Sequence, residues 1–399
     1  MKFKILCFTG IIIFSIVLAG CPTPVEETTK SGNADLTSLE INTGVLSPAF
    51  DSSKTIYSVT VPNTITQISV TAVSADATAV LSVNNGIAQD LKVGANKITI
   101  SVTAQDGSTK KEYLILVSRW GAETLSSNVG VMISVPAGRF QRYGSSGNVS
   151  VVDGFMMGCL EISREKFLSI MGGDPSRPLY SESTGPVIDQ SWYHAIAFCN
   201  KLSLEEELQP VYTVAGVDFS ILSYSAIPAA ADTTWDSTTA DWSANGYRLP
   251  TEMEWMWAAM GAPADGQNGS ASSTGDQKAF AGSTGINTIG DYAWYSVNCG
   301  NGDTENVNYK AHPVGDKLPN ELGLFDMSGN VWERCWDWKD TYPDGLLENY
   351  RGAATGDRRV HRGAGWDRTA DDFVISDRSS YYPYGGAWSI GFRIVRKLP

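Results

Sequence analysis

Between positions 34 and 119, large apolar residues alternate with polar ones, and this period of two constrains the fold more than any other feature of the sequence. Every second residue of a β-strand faces the same side, so the alternation predicts strands with one buried face. Asn85-Gly86 and Asp106-Gly107 lie between such runs and suit tight hairpin turns. This stretch is therefore predicted to be an all-β sandwich. Its predicted core positions are Tyr57, Val59, Val61, Ile68, Val70, Ile98, Ile100, Val102, Tyr113, Ile115 and Val117.

From about Leu125 to position 399, short elements are separated by long irregular stretches rich in Trp, Gly and Tyr. Thr251 and Glu254 form a capping box, which predicts a helix that starts at Thr251 and ends near Gly261. A second helix is predicted from apolar residues spaced by four, three and three, which share one buried face. These residues are Trp192, Ile196, Cys199 and Leu202. Residues 125–399 are thus predicted to form a second domain with short helices and long irregular stretches.

The chain begins with a short basic region and an apolar run, which predict a signal peptide over residues 1–20. Leu-Ala-Gly-Cys follows and resembles a bacterial lipobox, so Cys21 is predicted to carry a lipid. The apolar run, from Ile5 to Val17, is shorter than the roughly 20 residues that cross a bilayer, which argues against an uncleaved anchor helix. Residues 21–33 contain few large apolar side chains and are predicted to be a tether.

Composition bounds the number of domains and the class of partner. The 399 residues, 42% of them apolar and 18% charged, can fill two cores. A formal net charge of −13, without a cluster of Lys and Arg, argues against nucleic acid as a partner. Four cysteines lie beyond Cys21; they allow three disulfide pairings, and their spacings match no transition-metal site. They are Cys159, Cys199, Cys299 and Cys335.

The first domain resembles the cadherin-like sandwich repeat of bacterial surface proteins. The resemblance is carried by LTSLEINTGVLSPAFD (36–51), IYSVTVP (56–62) and DGSTKKEYLILVSR (106–119), and it covers residues 34–119. No acidic calcium motif accompanies these strings. We therefore expect a spacer rather than a binding module, because a fold alone does not confer a function.

The second domain resembles the formylglycine-generating, sulfatase-modifying enzyme family, because seven strings match that family in order. They are VPAGRF (135–140), EISREKF (161–167), PVIDQSWYHAIAFCNKLS (186–203), RLPTEMEWMWAA (248–259), GLFDMSGNVWE (323–333), RGAGW (362–366) and IGFR (390–393). The resemblance covers residues 125–399. It implies an α+β, C-type-lectin-like fold with much irregular structure.

In GLFDMSGNVWE a sharp turn brings two carboxylates close together, which suits a hard cation. The resemblance implies a structural calcium site formed by the side chains of Asp326 and Glu333 and by the backbone carbonyls of Gly329 and Val331. The alternative is that the two carboxylates only accept hydrogen bonds from nearby backbone N–H groups.

Catalysis in that family depends on two cysteines that bind copper(I), and soft thiolates suit that ion. The matching positions here are Arg368 and Phe373, which cannot ligate copper. We therefore predict no catalytic cofactor and no enzyme activity. The alternative, a formylglycine-generating oxidase, would need Cys299 or Cys335 in a different active-site geometry.

Residues 367–389, between RGAGW and IGFR, consist mainly of Asp, Ser, Tyr, Gly and Ala. Tyr provides contact area at small entropic cost, and Ser, Gly and Asp adapt their hydrogen bonds, as in antibody loops. The arrangement resembles the variable region of diversity-generating retroelement proteins, including the Treponema variable protein type. Such retroelements randomise adenines, often in Asn codons that end in a pyrimidine, so a position varied in this way never becomes Lys, Glu, Gln, Met or Trp. Residues 367–387 contain none of these five.

The residues predicted to contact a ligand are Asp367, Arg368, Asp371, Asp372, Phe373, Ser379, Ser380, Tyr381, Tyr382, Tyr384, Trp388 and Ser389. The alternative for Trp388 is a place in the core. The chain is thus predicted to be a lipid-anchored protein of the cell envelope, on the outer membrane and cell surface, that binds a protein or surface ligand without chemistry. A fixed, undiversified binding or structural lipoprotein of the same family is the remaining alternative.

Overall fold

The computed structural model describes residues 29–82, 86–142, 147–262, 278–285 and 287–399. The predicted signal peptide, Cys21, most of the tether and Asn85 lie outside these ranges. Within them, no helix is both long enough and apolar enough to cross a membrane.

The first domain consists of two β-sheets. Strands β1 to β7 are Leu36–Ile41, Ile56–Val61, Gln67–Ser74, Val80–Ser82, Ala88–Asp90, Gly94–Thr103 and Lys110–Arg119. One sheet has the order β1-β3-β5 and the other β2-β7-β6-β4. All pairs are antiparallel except β2 and β7, which run parallel.

The core of the first domain confirms the sequence prediction. All the predicted core positions of the alternating runs are buried, and they belong to one apolar cluster. The period of two therefore identified the inward face of four of the strands, because a strand in a sandwich turns every second side chain toward the opposite sheet.

The second domain has four helices in its described part, α1 to α4: Arg164–Met171, Trp192–Glu205, Thr233–Asp236 and Glu252–Ala259. The capping box at Thr251 is present, since Thr251 Oγ1 accepts from Glu254 N and the Glu254 carboxylate accepts from Thr251 N. The predicted buried stripe on α2 is also confirmed, because all its members are fully buried. Helix α4 ends two residues before the predicted Gly261.

Strands β8 to β21 of the second domain are short. They are Glu123–Ser126, Gly130–Val135, Gly138–Gln141, Val149–Val152, Phe155–Gly158, Tyr212–Thr213, Thr239–Ala240, Tyr247–Arg248, Trp332–Trp338, Leu346–Glu348, Arg359–Arg362, Ser379–Tyr381, Ile390–Gly391 and Val395–Lys397. A five-stranded sheet has the order β15-β21-β12-β9-β8, and a four-stranded sheet has the order β19-β18-β16-β20. The four-stranded sheet carries the C-terminal segment in which the ligand contacts are predicted.

Candidate functional site

Residues 367–389, here called the terminal segment, are attached to the four-stranded sheet. Strand β19 within the segment pairs antiparallel with β18, where Val360 lies opposite Ser380. At the C-terminal end of the segment, the backbone N–H of Trp332 donates to the carbonyl of Ser389 (2.7 Å). The sheet therefore fixes both the middle and the end of the segment.

The start of helix α2 holds the second half of the terminal segment. The N–H of Trp192 donates to the Pro383 carbonyl (2.8 Å), and the N–H of Asp189 donates to the Ala387 carbonyl (3.0 Å). A Cβ atom added to Gly386 would lie 1.8 Å from the carbonyl oxygen of Asp189, so only glycine allows this approach. The backbone of this half of the segment therefore has few alternative conformations.

The predicted contact residues differ in exposure. Four are exposed: Arg368, Asp371, Tyr382 and Trp388. Six are partly exposed: Asp367, Asp372, Ser379, Ser380, Tyr381 and Tyr384. Two are buried: Phe373 and Ser389.

The predictions for Phe373 and Ser389 as ligand contacts are wrong. Phe373 is 2% exposed and belongs to an apolar cluster with Trp332 and Ile390. Ser389 is 5% exposed, and its hydroxyl points to Asp367 Oδ2 (3.4 Å). The Phe373 ring packs in an apolar cluster and the Ser389 hydroxyl has a polar partner, so both side chains are satisfied inside the domain.

One exposed aromatic group is formed by Tyr382 and Tyr384, whose rings stack with centroids 5.4 Å apart. The guanidinium of Arg358 lies 4.4 Å from the ring centroid of Tyr382, and its Nη2 donates to the Tyr382 hydroxyl (3.0 Å). Sequence reasoning missed Arg358, since only the pairing of β18 with β19 brings it to the terminal segment. The stack with Tyr384 and the guanidinium of Arg358 hold the exposed ring of Tyr382 in place.

A second aromatic group surrounds Trp388. Tyr180 lies 5.2 Å from it between ring centroids, and the guanidinium of Arg177 lies 5.7 Å from the Trp388 ring. Arg177 also forms an ion pair with Asp189 (2.6 Å). Arg177 and Tyr180 were not predicted, and nothing in their local sequence marks them. The indole Nε1 of Trp388 donates to Asp367 (3.3 Å), so one edge of the ring is fixed and the rest is open.

Two of the remaining charged residues of the segment, Asp372 and Arg368, form contacts with neighbouring residues of the segment. Asp372 Oδ2 accepts from the backbone N–H of Thr369 (3.1 Å) in a capping box. Arg368 Nε lies 3.7 Å from Asp367 Oδ1, and its guanidinium lies 5.9 Å from the Trp332 ring centroid. Asp371 is exposed to solvent.

The four described cysteines are free thiols, and three of them are buried. Cys159, Cys199, Cys299 and Cys335 form no disulfide among the described residues. Burial raises the pKa of each thiol, that of Cys299 to about 12.

At the predicted calcium site, Glu333 has protein partners for both oxygens. Its carboxylate accepts from Arg393 Nε (2.6 Å) and Nη2 (2.5 Å) and from the indole Nε1 of Trp255 (2.7 Å). The predicted sharp turn is present, because Gly329 and Asn330 have φ values of 86° and 57°. The alternative in which Glu333 accepts only local backbone N–H groups is not what the structure shows.

Asp326 differs from Glu333, because one of its oxygens is free. Its Oδ2 accepts from Gly315 N (2.6 Å), and Oδ1 is buried with no donor among the described residues. Burial is the main cause that raises the pKa of Asp326 to about 6. Glu161, also buried, accepts from the backbone N–H of Val331 (3.1 Å). Arg393 is paired with Glu333 and also lies close enough to Glu161 and Asp326 for their charges to interact.

The described residues contain no group of three or more His, Cys, Asp and Glu side chains that could hold a metal ion. The predicted calcium set relies instead on two side chains and two backbone carbonyls. The free oxygen of Asp326 and the excess of buried negative charge fit a cation, while the pairing of Glu333 with Arg393 limits how far Glu333 can contribute. The calcium site therefore stays a prediction.

Comparisons with known proteins agree with this architecture. Residues 36–120 match the cadherin-like beta sandwich domain, and residues 121–398 match the sulfatase-modifying factor enzyme 1-like domain. The structure of Treponema denticola variable protein 1 has a TM-score of 0.59 and 31% identity, over 69% of this chain and 99% of that one. The two resemblances and the predicted fold class are thus confirmed: a β-sandwich followed by a C-type-lectin-like domain.

Two curated relatives support the same assignment. A Paenibacillus barcinonensis protein named chaperone protein LppX is 31% identical over 71% of this chain and 97% of its own length. The formylglycine-generating enzyme of Streptomyces coelicolor is 33% identical over 40% of this chain and 49% of its own length. Because the family match extends over most of the chain, this protein belongs to the sulfatase-modifying factor enzyme 1-like family.

Proposed function

We propose that this protein is a lipid-anchored surface protein that displays a ligand-binding patch on a non-catalytic scaffold. The patch consists of the exposed side chains of the terminal segment. One observation carries the proposal: exposed aromatic rings project from a backbone fixed by a β-sheet and a helix start. Rigid aromatic anchors of this kind dominate the binding energy of protein interfaces.

The absence of catalysis is part of the proposal. The two positions that match the catalytic cysteines hold Arg368 and Phe373, and Phe373 is buried. Cys299 and Cys335, which could in principle substitute, are buried thiols with raised pKa values. The likeness to a variable protein over nearly its whole length favours recognition over oxidation.

The location and partners of the protein are proposed from its sequence. A lipid on Cys21, followed by a tether and a β-sandwich spacer, would hold the second domain away from the envelope surface. The partner would be a protein or another surface ligand. A net charge of −13 argues against nucleic acid.

We propose further that a retroelement diversifies the terminal segment, and the DNA beside the gene tests this. We expect a near-copy of the sequence that encodes the terminal segment, differing from it only at adenines, and a reverse transcriptase gene close by. The basis is the composition of residues 367–387, which lacks Lys, Glu, Gln, Met and Trp, the five residues that randomised Asn codons ending in a pyrimidine cannot produce. Sequencing the flanking DNA decides the matter, because without a template repeat the segment is fixed.

We also propose that calcium binds at Asp326, held with the carbonyls of Gly329 and Val331. Adding EDTA at neutral pH is expected to lower the melting temperature by about 5 °C, because removing a tightly bound ion removes its binding free energy from the folded state. Calcium should restore the original value. The variant Asp326→Asn should melt at the same temperature with and without calcium. Equal melting temperatures of the unaltered protein in EDTA and in calcium would refute the site.

A further inference from the structure

A recess outside the terminal segment opens on the second domain. It is a cleft of about 600 Å³ between helix α3 and the loop 351–356. Trp336 and Trp338 of β16 and Arg359 of β18 line it, and we call it the tryptophan cleft. A volume of this size holds a molecule as large as a disaccharide.

Arg359 is an unusual lining residue, because its side chain is buried without an acidic partner. It is 1% exposed, and its guanidinium carbon lies 3.4 Å from the Trp338 ring centroid and 3.8 Å from that of Trp192. Its Nη1 donates to the Trp336 carbonyl (2.6 Å). Its Nε has no hydrogen-bond partner in the described ranges, and no carboxylate there lies within ion-pair distance of it.

Burial of this guanidinium is costly, because its charge is balanced only indirectly, by the faces of the surrounding indoles and by Asp337 and Asp236, which lie beyond ion-pair distance. Burial accordingly lowers the pKa of Arg359 to about 9. Because Arg359 lines the cleft, an anion bound there would lie near a guanidinium whose Nε lacks an acceptor.

The other lining residues give the tryptophan cleft a positive balance. Arg351, which is exposed, adds a second guanidinium at the rim. Asp236 is the single carboxylate among the described lining residues, and one of its oxygens already accepts from the Tyr193 hydroxyl (2.6 Å). Two guanidiniums against one carboxylate in the lining favour an anion over a cation at this cleft.

The uncharged lining residues point to a sugar. Trp336 is partly exposed and is held by a ring stack on Tyr212, with centroids 5.2 Å apart. The negative face of an indole attracts the C–H groups of a pyranose ring. Hydroxyl groups line the same cleft and can bond to sugar hydroxyls. These hydroxyl-bearing residues are Thr233, Ser237, Thr238, Thr239 and Thr355.

We propose that the tryptophan cleft binds an acidic saccharide, with Arg359 and Arg351 on its carboxylate or sulfate group and Trp336 against a sugar ring. This site goes beyond the proposed function, because the cleft lies outside the terminal segment. The two sites are neighbours, since Arg358, which contacts Tyr382, directly precedes Arg359 in β18.

Isothermal titration calorimetry on the whole chain tests the proposal with three probes: a glucuronate-containing disaccharide, a sulfated disaccharide and the matching neutral disaccharide. We expect at least one of the two charged probes to bind at least about tenfold more tightly than the neutral one, because hydrogen bonds to charged groups are the stronger ones. Which charged probe binds more tightly identifies the anionic group. Equal affinity for charged and neutral probes, or no binding of any probe, would overturn the proposal.

Two variants separate the cleft from general charge effects. Arg359→Met should weaken binding of the charged probe at least about tenfold without unfolding the domain, because methionine fits an apolar site and removes an unpaired charge. Arg351→Ala changes an exposed residue and should also weaken it. Lys110→Ala removes one positive charge from an exposed position of the first domain and should leave it unchanged. Unchanged affinity in both arginine variants would overturn the proposal.

Discussion

Arg393→Met is expected to lower the free energy of unfolding of the second domain by about 3–5 kcal/mol. Arg393 and Glu333 are both fully buried and are joined by two hydrogen bonds of 2.6 and 2.5 Å. Without the guanidinium, the Glu333 carboxylate would remain in the core with the indole N–H of Trp255 as its remaining side-chain donor. Urea unfolding followed by tryptophan fluorescence measures the loss.

A double variant provides the matched control. Glu333→Leu combined with Arg393→Met removes both charges, so neither is left unpaired, and part of the lost stability should return. The recovery should be incomplete, because the carbonyls of Phe325 and Gly158 also accept from Arg393, at 2.7 and 3.1 Å. A loss below about 1 kcal/mol in Arg393→Met would mean that the pair does not hold the domain together.

The Glu333 pair shows why the sequence motif was only partly informative. GLFDMSGNVWE predicted the turn and two nearby carboxylates, and both features are local. The partner of Glu333 lies 60 residues further along the chain, in IGFR. Spacing along the sequence does not encode such a contact, because it depends on the parallel pairing of β16 with β20, which places Glu333 beside Gly391.

The strands of the first domain and helix α2 were predictable, because strand and helix geometry impose a fixed spacing on the buried side chains. The alternation in the first domain and the stripe on α2 identified buried faces, as strand and helix geometry require. The terminal segment has only a three-residue strand and a short 3₁₀ turn, so no period marks its inward side chains. Phe373 was therefore predicted to be a contact, although the turn that contains it directs its ring into the core.

Residues from other parts of the chain complete the proposed binding patch. Arg177, Tyr180 and Arg358 meet the terminal segment through tertiary pairing, and no local pattern distinguishes them from other exposed cations and rings. A diversified segment surrounded by such residues would have a fixed rim. Adenine randomisation inside the segment would leave that rim unchanged. Variation would then be confined to the terminal segment.

Replacing the two most exposed aromatic residues of the segment, Tyr382→Ala with Trp388→Ala, is expected to weaken surface binding about 30-fold or more. Tyr382 is 37% exposed and Trp388 36% exposed, which is enough open ring surface for a partner to bury. Flow cytometry with fluorescently labelled protein on bacterial and mammalian cells measures the apparent affinity. Ile221→Ala removes an exposed apolar side chain, 82% exposed, from outside the segment and serves as the control.

Stability must be measured in the same variants, because lost binding could follow from unfolding. Both substitutions remove partly exposed rings, so the free energy of unfolding should change by less than about 1 kcal/mol each. Tyr382→Phe keeps the ring but loses the hydroxyl that accepts from Arg358, and it should retain most of the affinity if ring area is what binds. If the double alanine variant stays folded and binds cells as tightly as the unaltered protein, the terminal segment is not the binding surface. The partner-binding function would then have to be assigned to another face of the domain.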